Sequence, residues 1–251
     1  MSTSKTCVYN FTSLRVDNAD EDNWGSDGDE IYLVYIGFRS QTGKKGSTIT
    51  TINAFDSYQW ADGVKEGGVR NIPSGMGRVA IPVEITSFED AVEANTSKTP
   101  ISTQIVGVIG IALESDRTPW GDVKRAIKAV RAAAQAEVAN IVENLPADAT
   151  QIKVEGLAPK VAQAISNVKA KMKPSFFTAA LALINSVGDP DDLVGIDSQF
   201  NVCIDPGLIA IINAFQNKNI QIPNILKPLP IQHVYQSKGV KYTVTGNIAL
   251  E

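Results

Sequence analysis

The sequence predicts an α+β fold: an antiparallel β-sandwich interrupted by a helical-hairpin insertion. Three observations point there. Segments rich in Val, Ile, Thr and aromatic residues recur through the first 114 residues, separated by Gly, Asn, Asp and Ser clusters. The apolar spacing then changes from two residues to three and four. Toward residue 251 the two-residue alternation returns. This assigns residues 1–114 and 188–251 to the sandwich and 115–187 to the insertion.

The first five strands are expected at Cys7 to Val16, Ile31 to Phe38, Ser47 to Ala54, Val79 to Ile85 and Gln104 to Leu113. The last of these is apolar at nearly every position, so it predicts a strand covered on both faces. Two glycines within it count against a buried helix. Gly43-Lys44-Lys45-Gly46-Ser47-Thr48 has a superficial likeness to a phosphate-binding loop. The spacing is wrong for that motif, and its place between two strands predicts a hairpin turn.

The helical part opens with Asp122 as a candidate N-cap. Val123, Ile127, Val130, Ala134, Val138, Ile141 and Leu145 then follow at steps of three and four, up to Pro146. A second helix is expected from Pro159, with Val161, Ile165, Val168 and Met172 on one face. Phe176 to Val187 reads as a buried segment, too short to span a bilayer. Asp205-Pro206 opens a short expected helix to Phe215, and Pro223, Pro228 and Pro230 predict turns. Val240, Tyr242, Val244, Ile248 and Leu250 mark a final half-buried strand.

Composition sets the broad class. Hydrophobic residues make up 43% and charged residues 20% of 251, enough apolar material for a core without disulfides or metals as staples. The formal net charge of −4 argues against nucleic acid as a partner. Cys7 and Cys203 both lie in apolar, strand-like surroundings and read as buried thiols; the sequence alone does not decide whether they pair. Met1 to Lys5 has no apolar signal core, so a soluble chain is expected, cytoplasmic or released without a recognisable signal peptide.

The charge is unevenly spread. Residues 17–30 hold seven carboxylates and no basic residue, directly before the apolar run from Ile31. Crowded carboxylates repel one another, and a hard cation relieves that repulsion. The alternative is a solvated negative rim that discourages edge-to-edge strand pairing. A second acidic group, Asp189, Asp191 and Asp192, precedes Leu193-Val194-Gly195, which reads as an apolar turn. One short loop rarely supplies the six to eight oxygens that calcium takes, but two loops at one end of a sandwich suffice. An EF-hand starting at Asp20 fails, because Trp24 takes the fifth position and Ile31 the twelfth.

Asp20 or Asp22 followed by Gly25-Ser26-Asp27 and Tyr32-Leu33-Val34, with Asp192-Leu193-Val194-Gly195 later, resembles the first and third calcium loops of synaptotagmin and protein kinase C-type calcium- and phospholipid-binding domains. The resemblance covers about thirty residues, and the proline usual after Ser-Asp is missing. It implies an eight-stranded β-sandwich and a non-enzymatic, calcium-dependent binding module that docks on membrane phospholipid or a partner surface. By the same resemblance the ligands of Ca2+ are Asp20, Asp22, Asp27, Asp189, Asp191 and Asp192.

Residues 119–174 carry nine Lys or Arg against five Asp or Glu. Lys124, Arg125, Lys128 and Arg131 lie opposite the Ile127/Val130 stripe, a pattern that fits either a solvated helix face or contact with an anionic membrane. Trp24 reads either as a pin for the acidic loop or as a membrane contact. Beside the Phe176 segment, the basic face motivates a second reading, a membrane-active toxin or toxin component. A third is a structural or assembly protein whose helices form a homo-oligomer interface. Catalysis has little support: His233 is the only histidine and reads as structural, and no nucleophile elbow occurs.

Overall fold

The computed structural model describes residues 3–19, 29–53, 61–85, 104–114, 120–144, 193–203, 228–237 and 239–251. They are mostly strand. β1 (Thr3–Asn18), β5 (Val69–Asn71), β6 (Arg78–Ile85), β9 (Leu229–Gln236) and β10 (Lys241–Leu250) form one antiparallel sheet. β2 (Asp29–Gln41), β3 (Ile49–Ile52), β4 (Ala61–Val64), β7 (Gln104–Glu114) and β8 (Leu193–Cys203) form a second.

In the first sheet β1 is central. β6 and then β5 run along one side of it, and β10 followed by β9 along the other. In the second sheet β2 carries β4 and β3 on one side and β7 on the other, with β8 beyond β7. A short helix, α1 (Ser74–Gly77), joins β5 to β6. The long helix α2 (Trp120–Val142) follows β7.

Alternation explains the core. Tyr9, Phe11, Leu14 and Val16 of β1 meet Ile31, Leu33 and Tyr35 of β2 and Val106, Val108 and Ala112 of β7 in one cluster fed by both sheets. Phe11 stacks on Tyr35 with ring centroids 4.1 Å apart. The intervening residues of β2, Tyr32, Val34, Ile36 and Phe38, are equally buried but lie outside that cluster. They belong to the opposite face of the second sheet. α2 lies against β2 and β3 there, with Ile127, Val130, Ala134, Val138, Ile141 and Val142 buried. Every residue from Gln104 to Leu113 is buried, so β7 is covered on both faces as its sequence predicts.

All five strands expected before residue 114 form, as does the final one. Four readings change. Leu193-Val194-Gly195 opens β8 and is not a turn. Pro230 sits inside β9; among the described residues that strand pairs with β10 alone, and proline is tolerated on an edge because the ladder there needs no further donor. α2 starts two residues before Asp122, which puts Asp122 in the first turn instead of at the cap; acids are favoured at both places. The helix also stops at Val142, before Pro146. The segments expected at Pro159, Phe176 and Asp205 lie outside the described residues. Cys7 is a buried thiol.

Candidate functional site

Strand register decides where the acidic loops attach. Ile31 of β2 pairs with Glu114 of β7, and Leu113 of β7 pairs with Leu193 of β8. Since β7 is antiparallel to both, β2 and β8 run parallel and begin at the same end of the sheet. Asp29 and Leu193, the first residues of these two strands, therefore lie at the same end with β7 between them. Leu193 is level with Tyr32 across Leu113, and Asp29 lies three residues further along β2, so at about 4.8 Å per strand and about 3.3 Å per residue the two strand starts are about 14 Å apart.

Other elements converge on this end. β1 finishes there, with Asn18 paired to Lys241 and its side-chain amide donating to the Gly239 carbonyl in the β9–β10 turn. The β4–β5 turn is fastened there too, by Gly67 N–H to the Val16 carbonyl (2.9 Å) and Val16 N–H to the Gly68 carbonyl (3.0 Å). β8 and β9, the edges of the two sheets, meet at Gly195, where a Cβ would stand 2.9 Å from the Gln236 nitrogen. Asp197 closes that seam by accepting Val234 N–H at 3.0 Å.

Of the acidic stretch, Asp17 is described in full, and it is already engaged. It accepts Arg15 Nε at 2.6 Å and the Thr243 hydroxyl. Burial pushes its carboxyl pKa up, but the hydrogen bonds from Thr243 and Arg15 and the charges of Arg15 and Lys241 outweigh this and hold it below the usual value. Asp20, Asp22, Asp27, Asp189, Asp191, Asp192 and Trp24 lie outside the described residues. Among the described residues no group of three or more His, Cys, Asp or Glu is placed to hold a metal ion.

The basic helix face divides. Lys124 and Lys128 are exposed. Arg131 is spent on β3: its Nη2 donates to the Thr50 carbonyl at 2.8 Å and its Nε to the Thr50 hydroxyl at 3.1 Å. It is therefore a tie between helix and sheet. Nothing is described of the Arg125 side chain. Among the described residues no helix is long and apolar enough to cross a membrane.

His233 lies in the core, 1% exposed, edge-on to Phe11 at 5.0 Å and hydrogen-bonded through Nδ1 to the Tyr235 hydroxyl at 3.2 Å. Burial pushes the Tyr35 and Tyr235 hydroxyls far above their ordinary pKa, so both stay neutral. Among the described residues this cluster packs β1 against β9.

At the other end of the second sheet is an arrangement that sequence reasoning did not single out. The Gly43–Thr48 hairpin turn surrounds the carboxylate of Glu143, just past the end of α2. The turn was legible as a turn. Its partner lies some 95 residues away and carries no local signal.

Compared with known proteins, the chain matches no family model, no curated protein and no solved structure.

Proposed function

We propose that this chain is a non-enzymatic, calcium-dependent binding module, an antiparallel β-sandwich (1–114 and 188–251) with a helical-hairpin insertion (115–187). Two acidic loops supply the ligands: Asp20, Asp22 and Asp27 from one, Asp189, Asp191 and Asp192 from the other. The supporting observation is the common starting end of β2 and β8 on either side of β7. Strands that start about 14 Å apart at one end leave the two acidic segments, each several residues long, within reach of one shared cation, whose oxygens lie at 2.3–2.6 Å. The donor set fits calcium: carboxylates without Cys or His are the oxygen-only choice of a hard ion. Bound calcium turns a repulsive rim into one attractive to anionic phospholipid or to an acidic partner surface.

Calorimetric titration with calcium, beside a melting curve, tests the reading. Heat of binding and a raised Tm are expected, both lost in Asp27→Asn with Asp192→Asn. No heat and no shift at millimolar calcium would sink it. Calcium-dependent co-sedimentation with anionic liposomes that keep their dye separates docking from the membrane-active reading, which requires leakage.

A further inference from the structure

We propose that the Gly43–Thr48 turn is an oxyanion cradle and that Glu143 is its built-in ligand, latching the end of α2 onto the β2–β3 hairpin. This is independent of calcium binding. The cradle comes from the turn itself. Gly43 and Gly46 adopt φ of 67° and 71°, left-handed values that L side chains avoid, and they fold the short connection back on itself. Gly46 N–H donates to Glu143 Oε2 at 2.8 Å, and Thr48 N–H to Oε1 at 2.8 Å. The Thr48 hydroxyl adds a third bond to Oε1 at 2.7 Å, and the Ser47 hydroxyl stands 3.5 Å from the same oxygen. Ser40 Oγ lies 2.7 Å from Thr48 Oγ1 and helps to orient that hydroxyl.

Backbone amides and hydroxyls converging on two oxygens of one anion form the kind of concavity that takes phosphate, sulfate or carboxylate. A neutral residue needs no such site. A carboxylate does, and more so here, because the C-terminal end of a helix is its negative pole and disfavours negative charge. Burial pushes the Glu143 pKa up, yet the bonds from Thr48, Gly46 and Ser47 more than reverse this and hold it below the ordinary value. Further ties run between the same helix and the same hairpin. Lys45 donates to the Asn144 side-chain carbonyl, Arg131 to Thr50, and the Thr50 hydroxyl to Gln135 Oε1 at 2.8 Å. The apolar stripe of α2 covers the sheet, and these polar contacts fix where its end stops. Because the ligand is tethered, its effective concentration far exceeds that of a free anion, and the intact cradle stays self-occupied.

The test is chemical rescue. Glu143→Ala is expected to melt below the wild type. Inorganic phosphate or acetate, at ionic strength matched with chloride, is expected to raise its Tm and leave the wild type unmoved, and adding Thr48→Ala is expected to cancel the rescue. Equal shifts in variant and wild type, or no difference between phosphate, acetate and chloride, overturn the proposal. If Glu143→Ala does not fold, Glu143→Gln carries the test through amide hydrogen exchange read by NMR. Exchange at Gly46 and Thr48 is expected to quicken about five- to tenfold, the ratio that one lost hydrogen bond corresponds to. Unchanged protection there overturns it.

Discussion

The two ends of the β2–β7–β8 sheet treat negative charge in opposite ways. At one end a single carboxylate, Glu143, is met by two amides and a hydroxyl from the hairpin it docks on. Toward the other, residues 17–30 hold seven carboxylates and no basic residue, and of these Asp17, described in full, already has Arg15 and Thr243 as partners. The first end is internally satisfied and needs no ion. The second has more acid than nearby base in its sequence, which is the condition under which a cation stabilises. A carboxylate for which the chain supplies its own donors, as for Glu143, gives no reason to expect an ion.

Removing the platform that both ends share sets the scale. Phe11→Ala takes away a fully buried ring stacked on Tyr35 and is expected to cost about 3–5 kcal/mol in denaturant unfolding, equally with and without calcium. Next comes the ion. Calcium at about a hundred times its Kd is expected to stabilise by about 2.7 kcal/mol, seen as a higher Tm. Asp27→Asn is expected to reduce that gain while leaving the metal-free protein as stable or more so. An equal loss of stability in the metal-free protein would make the acidic end resemble the Glu143 end and erase the contrast.

Glu143→Gln is expected to cost about 1–3 kcal/mol, because it leaves buried donors poorly matched, and the loss should be indifferent to calcium. The pH dependence has a defined sign. The folded pKa of Glu143 lies below its unfolded value near 4.5, so its contribution is complete above that value and disappears as pH falls through the folded pKa. Asp17 acts in the same direction below 3.8. Crowded, metal-free carboxylates act oppositely, since protonation relieves their repulsion. Acid unfolding curves of wild type and Glu143→Gln are therefore expected to converge as pH drops below about 4. Arg131→Ala is the smallest change, about 1 kcal/mol for the lost bonds to Thr50, measurable as a slightly lower denaturation midpoint.

Much of the fold was legible because β-branched alternation is a local signal. The early strands, the covered β7 and the α2 stripe all follow from it. What escaped was decided by distant neighbours. β4 and β5, four and three residues long, are too short to show a period and exist because β2 and β1 offer them an edge. β8 hid behind Gly195 and Asp197, residues poor in strand propensity that are used here for close approach to β9 and for the bond to Val234. Ser47 and Thr48 looked like strand and instead belong to the cradle, so β3 begins only at Ile49. At the acidic end the carboxylates themselves were readable, and register adds that β2 and β8 begin at the same end with β7 between them.

The pairing of β1 with β10, from Cys7 opposite Leu250 to Asn18 opposite Lys241, has a consequence during synthesis. β1 leaves the ribosome before the other described strands, yet its partner on one flank, β10, is completed only after more than two hundred further residues are made. At roughly 5–20 residues per second this is a wait of about 10–50 s. Throughout it, a strand that ends as the centre of its sheet has an open hydrogen-bonding side, and a chaperone or a neighbouring nascent chain has that long to reach it.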